Sequence, residues 1–430
     1  MTEISEVIVQ RRLLEIIRSR LGVEIVIGLQ GPRSVGKSTL LRQIATEAGV
    51  DVLDLDDPAI RDAIEADPGT FVRGDSPVCI DEYQRAPIVL DAIKAELNIK
   101  QRPGRFIITG STRHDALPLA AQALTGRLHM ITVRPLSQGE IAGVREDFVE
   151  LCLTNPAALI TTAPSSTKRE EYIARVVAGG FPMALQRNVG DSRNRWFDDY
   201  VDQTIERDLI ELSQVRQRAK LPLLLSRLAG QTGQLLNVSN AARDVDLEQK
   251  TADNYTKLLE AVFLIHRLPA WGSTLRSRAG AAPKIHVVDS GVAARLLRLT
   301  TTRLLSLQPA ALVEFGHLLE TFVVGELQKQ ASWSDKVAGF GHWRTHDGDE
   351  VDFILERDDG SIIAFEVKSG RRISGNELSG LRKLRAALGV NFVGGIVLNT
   401  GDRSYTLEDR IYVVPIDRVW TPSSARQLRK

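Results

Sequence analysis

Residues 31–38 read Gly31-Pro-Arg-Ser-Val-Gly36-Lys37-Ser38, the GxxxxGK[ST] pattern. They stand between an apolar run, Val23-Glu-Ile-Val-Ile-Gly-Leu29, and a run with apolar residues at helical spacing, Ser38-Thr-Leu-Leu-Arg-Gln-Ile-Ala45. That context predicts a strand turning into a helix through a loop whose backbone N–H groups can wrap a phosphate chain. The glycines let those donors approach closely, the Lys37 ammonium can reach the terminal phosphates, and the Ser38 hydroxyl can ligate Mg²⁺. The expected nucleotide-binding set is therefore Gly31, Pro32, Arg33, Ser34, Val35, Gly36, Lys37 and Ser38, with Thr39 the helix residue beyond. A glycine turn that matches by chance is the competing reading, and the strand and helix in the right order weigh against it. The loop itself does not choose between ATP and GTP.

Downstream, Pro77-Val-Cys-Ile-Asp81-Glu82 is a short apolar strand ending in two carboxylates. In a doubly wound sheet ligands lie at the carboxyl ends of the strands, which would bring Asp81 close to Ser38. Asp81 is then expected to hold Mg²⁺ through water, and Glu82 to orient or deprotonate the attacking water. A third apolar strand, Arg105-Phe-Ile-Ile-Thr109-Gly-Ser111, ends in hydroxyls able to sense a γ-phosphate, with Thr109 the first choice. A phosphate loop followed by paired carboxylates points to hydrolysis as well as binding.

At 430 residues the chain has length for two to four domains. Lys and Arg number 55 against 54 Asp and Glu, so whole-chain charge neither implies nor excludes a nucleic-acid partner. Any basic surface must be local, as near Arg371 and Arg372 or at Arg426, Arg429 and Lys430. The two cysteines, Cys79 and Cys152, support neither a disulfide framework nor a cysteine metal site, which fits a reducing cytoplasm. The first residues, with Thr2, Glu3, Glu6, Arg11 and Arg12, lack the apolar core of a signal peptide, and no stretch approaches eighteen uninterrupted apolar residues. The expectation is a soluble, cytoplasmic protein without a membrane partner.

The alternation of strands and helices implies an α/β chain, with a parallel-sheet phosphate-loop domain over 1–145 and a helical connector over 146–218. Residues 219–300 show three helical patterns, Leu223-Leu-Leu-Ser-Arg-Leu-Ala229, Ser239-Asn-Ala-Ala-Arg-Asp244 and Thr251 through Leu264. Extended segments follow at Ile265-His-Arg-Leu and Lys284-Ile-His-Val-Val-Asp289. A winged helix would be built this way, its third helix exposing Lys250, Asn254 and Lys257 to phosphates or base edges. Asp253 and Glu260 weaken the electrostatic case, so DNA and a protein partner both stand as candidates.

Residues 301–430 carry a second constellation. Asp352 lies in the strand Glu350-Val-Asp-Phe-Ile-Leu, and Glu366 and Lys368 share one face of the strand Ile363-Ala-Phe-Glu-Val-Lys. If the two strands pair, Asp352 and Glu366 can bind Mg²⁺ while Lys368 positions water. Upstream, the helix beginning Gly316-His-Leu-Leu-Glu320 offers a third acid, with Glu326 as its substitute. Six residues turn these two about 120° apart on a helix, so one of them faces the site. A charged hairpin with a solvated face is the alternative.

Together these pieces resemble a bacterial and archaeal family of ATPases in which an AAA-like domain precedes a C-terminal region of uncharacterised function. The resemblance rests on Gly31 to Ser38, Asp54-Leu-Asp-Asp-Pro, Ile80-Asp-Glu-Tyr-Gln-Arg-Ala-Pro, Ile108-Thr-Gly-Ser, Gly126-Arg127 and Pro135-Leu-Ser. It extends through Gly180-Phe-Pro, Arg207-Asp208-Leu, Asp289-Ser-Gly, Glu350-Val-Asp-Phe and Glu366-Val-Lys. It implies ATP rather than GTP. It also implies that Arg127, just before a strand, stands where related ATPases carry an arginine finger, a role that in trans needs a homo-oligomer; a surface arginine or a salt bridge is the competing reading. The C-terminal part looks like the PD-(D/E)xK nuclease fold, to which Glu320, Asp352, Glu366 and Lys368 would map, with Val351 in place of the proline of that signature. The leading expectation is an Mg²⁺-dependent ATPase coupled to a nuclease-like, DNA-acting domain; the competing one is an ATP-dependent, non-cleaving switch with that domain as scaffold.

Overall fold

The computed structural model describes residues 9–116, 124–209, 215–272, 274 and 281–423. Thr2, Glu3 and Glu6, and the terminal basic residues Arg426, Arg429 and Lys430, lie outside them. The chain forms two compact units. One comprises Met1–Leu136 with Glu206–Ser213 and Ala261–Leu264; the other comprises Ser137–Ile205, Gln214–Glu260 and Ile265–Lys430.

The first unit is built on the expected parallel sheet. Its strands are β1 (Val26–Gln30), β2 (Val52–Asp54), β3 (Val78–Asp81), β4 (Phe106–Gly110) and β5 (Leu128–Thr132), in the order β2-β3-β4-β1-β5. All neighbours run parallel, so the carboxyl ends of the strands gather at one edge. β1 begins at Val26 rather than Val23, because Val23 and Glu24 donate their N–H groups to the Arg20 carbonyl and close the turn before it. Helix α1 (Lys37–Ala48) follows the loop and α2 (Ile88–Ile99) packs over β3 and β4 through Val89, Leu90, Ile93 and Leu97. These residues bury with Ile80, Phe106 and Ile108 in one apolar cluster, the surface that holds the strand ends in register.

In the second unit, helices α3 (Lys220–Ala229), α4 (Val238–Asp244) and α5 (Gln249–Ala261) are interleaved with β6 (Gln234–Leu235), β7 (Ile265–Leu268) and β8 (Lys284–Val287). The three strands pair antiparallel in the order β6-β8-β7. Lys250, Asn254 and Lys257 are exposed along α5, as its pattern implies. A long helix, α6 (Pro309–Ala331), starts with proline at its first turn, seven residues before the expected Gly316.

A six-stranded mixed sheet completes this unit. Its strands are β9 (Gly339–Arg344), β10 (Glu350–Glu356), β11 (Ile362–Lys368), β12 (Phe392–Asn399), β13 (Tyr405–Glu408) and β14 (Ile411–Pro415). The order is β13-β14-β12-β11-β10-β9. β10 and β11 form the antiparallel hairpin anticipated from their patterns, with Phe353 opposite Phe365. One step further along that register, Asp352 faces Glu366. Both strands are buried along most of their length, so their two carboxylates sit in a dry interior and not on a solvated face.

Candidate functional site

The loop at the carboxyl end of β1 is shaped by its glycines. Gly31 has φ +154°, and a Cβ there would meet the Val133 carbonyl oxygen at 2.2 Å. Gly36 has φ +95° as the residue preceding α1, a left-handed conformation that a side chain resists. Lys37, the first residue of α1, is buried, and its ammonium donates to the carbonyls of Gly31 at 2.9 Å and Pro32 at 2.8 Å. Burial pushes its pKa down, while Glu82 and Asp81 pull the other way. A buried guanidinium that no sequence pattern marked for this role braces the loop: Arg11 donates to the Val35 carbonyl at 2.8 Å and to the Arg134 carbonyl at 2.7 Å.

At the end of β3, Asp81 and Glu82 are both buried. The Thr109 hydroxyl at the end of β4 donates to Asp81 and accepts the Glu82 N–H at 3.3 Å, so one hydroxyl ties the two acids together. Glu82 adopts φ +55°, a left-handed conformation uncommon outside glycine. Its Oε2 is held there by the Ser111 hydroxyl at 2.9 Å and by the Gln84 amide, and Gln84 also donates to Ser111 at 3.0 Å. Ser111 belongs to the hydroxyl strand end noted in the sequence. Gln84 stands in the motif Ile80-Asp-Glu-Tyr-Gln, but no local pattern marks it as a clamp on Glu82.

The side chains of two residues in the expected nucleotide set are placed as follows. The Arg33 guanidinium is held by Asp208 through contacts of 2.7 and 2.8 Å, and Thr39 is exposed on α1. Asp208 sits on a single π-helical turn, Thr204–Leu209, whose Arg207 reaches Asp56 at 3.2 Å. Arg127 lies just before β5, and β5 runs parallel to β1 with Val26 beside Leu128 and Gln30 beside Thr132. Five residues of strand, about 17 Å, therefore separate Arg127 from the sheet edge that carries its own phosphate loop. Its guanidinium instead donates to Asn98 at 2.9 Å. Within one chain, strand direction thus keeps the Arg127 guanidinium away from the phosphate loop.

The C-terminal acids do converge, but around an ammonium. Lys284 of β8 is buried, and its Nζ donates to Glu320 of α6 at 2.7 Å and to Asp352 of β10 at 2.8 Å. Asp352 uses its other oxygen to accept the Val367 N–H at 2.9 Å. Glu366 accepts from Lys368 at 2.7 Å, and its second oxygen is buried without a partner. Burial lowers the Lys284 pKa, and the charges of Asp352 and Glu320 outweigh it and hold the ammonium charged. Burial, then the Asp352 charge, push Glu320 up to about 8. One ammonium thus balances Asp352, with Glu320 keeping a proton near neutral pH. Burial and Asp352 likewise push Glu366 well up.

This departs from the expected metal set of Glu320, Asp352 and Glu366. Among the described residues no group of three or more His, Cys, Asp and Glu side chains is placed to hold a metal ion. The physical reason is Lys284, whose charge already fills the space between two of the three acids. Glu326, the substitute acid, faces elsewhere: it accepts the Gln138 N–H at 2.8 Å and pairs with Lys329.

Cys79 and Cys152 are both buried and free of disulfides, and among the described residues no helix is long and apolar enough to cross a membrane. Residues 24–142 match a family model described as an AAA domain. Residues 169–303 and 315–419 match two domains of unknown function, DUF8612 and DUF4143. An uncharacterized protein of Mycobacterium tuberculosis is 27% identical over 405 residues, spanning 94% of this chain and 82% of the relative. Among solved structures, a Walker-type ATPase of Pyrococcus abyssi is 14% identical, with a TM-score of 0.40 over 67% of this chain and 96% of its own. AMPPCP-bound DnaA from Aquifex aeolicus is also 14% identical, with a TM-score of 0.29 over 58% and 86%. The phosphate-loop unit is thus similar to AAA domains over residues 24–142 and carries their parallel P-loop arrangement, joined to regions similar to domains whose function is unassigned.

Proposed function

We propose that the chain is an ATP hydrolase that works as a nucleotide-dependent switch, with a C-terminal domain that does not cleave nucleic acid. The observation that carries this reading is the Asp81–Glu82 pair, fixed by Thr109, Ser111 and Gln84 at the strand edge that also carries the phosphate loop. Ser38 and Asp81 fit Mg²⁺, a hydroxyl and a buried carboxylate at the ends of adjacent elements. When bound, that ion would neutralise phosphate charge. Lys37 would leave the Gly31 and Pro32 carbonyls for the phosphates, and Glu82 would accept the proton of the attacking water. Ser111 and Gln84 hold the Glu82 carboxylate in place for that step.

Lys37→Ala is expected to weaken ATP binding roughly ten- to hundred-fold, the loss of charge-assisted hydrogen bonds to phosphate. Isothermal titration of ATP into the folded variant checks this. Wild-type affinity would remove the loop from its assigned role.

Arg127 enters the scheme through a second copy of the chain, since strand direction keeps it from its own loop. Arg127→Ala should then lower the turnover number by about 10³-fold with little change in ATP affinity, and wild-type turnover per chain should rise with protein concentration. A monomer with full activity, checked by light scattering under assay conditions, rules this out. The exposed Lys250, Asn254 and Lys257 of α5 form the face on which a winged-helix reading would place DNA or a docking protein.

A further inference from the structure

The C-terminal acids raise a question that the nuclease-like reading leaves open: what balances their charge. Asp352, Glu366 and Glu320 come from β10, β11 and α6, the three elements that would supply a divalent-metal site. Lys284 comes from a fourth element, β8, which lies earlier in the chain and in a different sheet. All four residues of that strand are buried, so the lysine is directed into the interior by the strand that carries it. Lysine is rarely buried without an acid partner, and here it has two.

We infer that the Lys284 ammonium is the resident cation of this cluster, standing where a metal nuclease would hold its ion, and that the native chain therefore takes no divalent metal there. The inference rests on the non-cleaving reading proposed above and gives it a residue. A divalent cation needs oxygens, with carboxylates deprotonated and directed at it. Lys284 already occupies one oxygen each of Glu320 and Asp352, and the Val367 N–H occupies the other oxygen of Asp352. Glu366 retains a buried oxygen with no hydrogen-bond partner. An incoming metal would meet like charge at the centre of the site and would have to displace a buried lysine. The same residues without Lys284 would be an acid cluster in need of a cation.

The test measures Mn²⁺ binding to the nucleotide-free, full-length chain by the loss of its free-ion paramagnetic resonance signal. Wild type, Asp352→Asn, Lys284→Ala and the double variant Lys284→Ala/Asp352→Asn are compared. The expected result is equal Mn²⁺ binding by wild type and Asp352→Asn, one additional site in Lys284→Ala, and loss of that site in the double variant. Melting temperature should rise with Mn²⁺ in Lys284→Ala and not in wild type. Mn²⁺ bound by wild type at a site that Asp352→Asn abolishes overturns the inference, as does a folded Lys284→Ala that gains no site. Should Lys284→Ala fail to fold even with Mn²⁺, the comparison of wild type with Asp352→Asn decides alone. DNA cleavage is assayed on the same samples. Cleavage by wild type without Mn²⁺ binding at this cluster would sink the non-cleaving reading and leave the resident cation standing, whereas Mn²⁺ binding without cleavage would do the reverse.

Discussion

Glu82→Gln is expected to slow ATP hydrolysis by about a hundred-fold or more while ATP affinity stays near wild type, the loss that follows removal of a general base. The amide keeps the length and branching of the side chain, and its oxygen can still accept the Ser111 hydroxyl. What it loses is the capacity to take a proton. The left-handed backbone at Glu82 costs on the order of 1–3 kcal/mol and persists only where surrounding contacts enforce it. Here Ser111, Gln84 and the Thr109 hydroxyl supply that enforcement. A site that stores strain to aim one carboxylate should be sensitive to the chemistry of that carboxylate. Single-turnover hydrolysis with excess enzyme, beside equilibrium ATP titration, separates the chemical step from binding. Unchanged turnover would move the base to another residue.

The second large effect concerns stability. Asp352→Ala should destabilise the chain by about 3–5 kcal/mol, because it removes one partner from a buried ion cluster. Lys284 is left with Glu320 alone, and the Val367 N–H loses its acceptor. Asp352→Asn, which keeps an oxygen for that N–H, should lose less. Burial pushes the Asp352 pKa up, but Lys284 and Lys368 outweigh it and hold it below the ordinary value. The stabilisation is therefore complete above the unfolded carboxylate pKa of about 3.9 and fades as pH falls through the lower folded value. Hydrogen exchange of the Val367 amide is the sensitive readout, since it reports opening of this hairpin directly. Wild-type protection in Asp352→Ala would mean the cluster contributes nothing to the fold.

The features legible in the sequence were those encoded over a few neighbouring residues. The phosphate loop, the Asp81–Glu82 strand end and the β10–β11 hairpin each follow from local pattern, and helical rotation separates Glu320 from Glu326 without saying which of them faces the hairpin. Contacts across long separations were not legible. Arg33 finds Asp208 across 175 residues, and Lys284 finds Glu320 and Asp352 across 36 and 68. In Lys284-Ile-His-Val the lysine reads as a polar residue at a strand end; only packing shows it to be interior. How far Arg127 stands from the phosphate loop was not legible for a different reason. Spacing places an arginine before a strand, but which end of the sheet that is depends on strand direction and order, which emerge only when the sheet is assembled.

The Lys284 cluster also fixes an order of events during synthesis. Asp352 follows Lys284 by 68 residues, a delay of roughly 3–14 s at ordinary translation rates. Glu320 arrives about halfway through that interval, on a helix that has yet to receive its sheet. Until β10 emerges, a strand otherwise made of Ile, His and Val carries a solvated positive charge. Such a charge discourages an unpaired strand from adding to the edge of another nascent chain. The residue that closes the interior of the finished protein is, for those seconds, a guard against aggregation of the unfinished one.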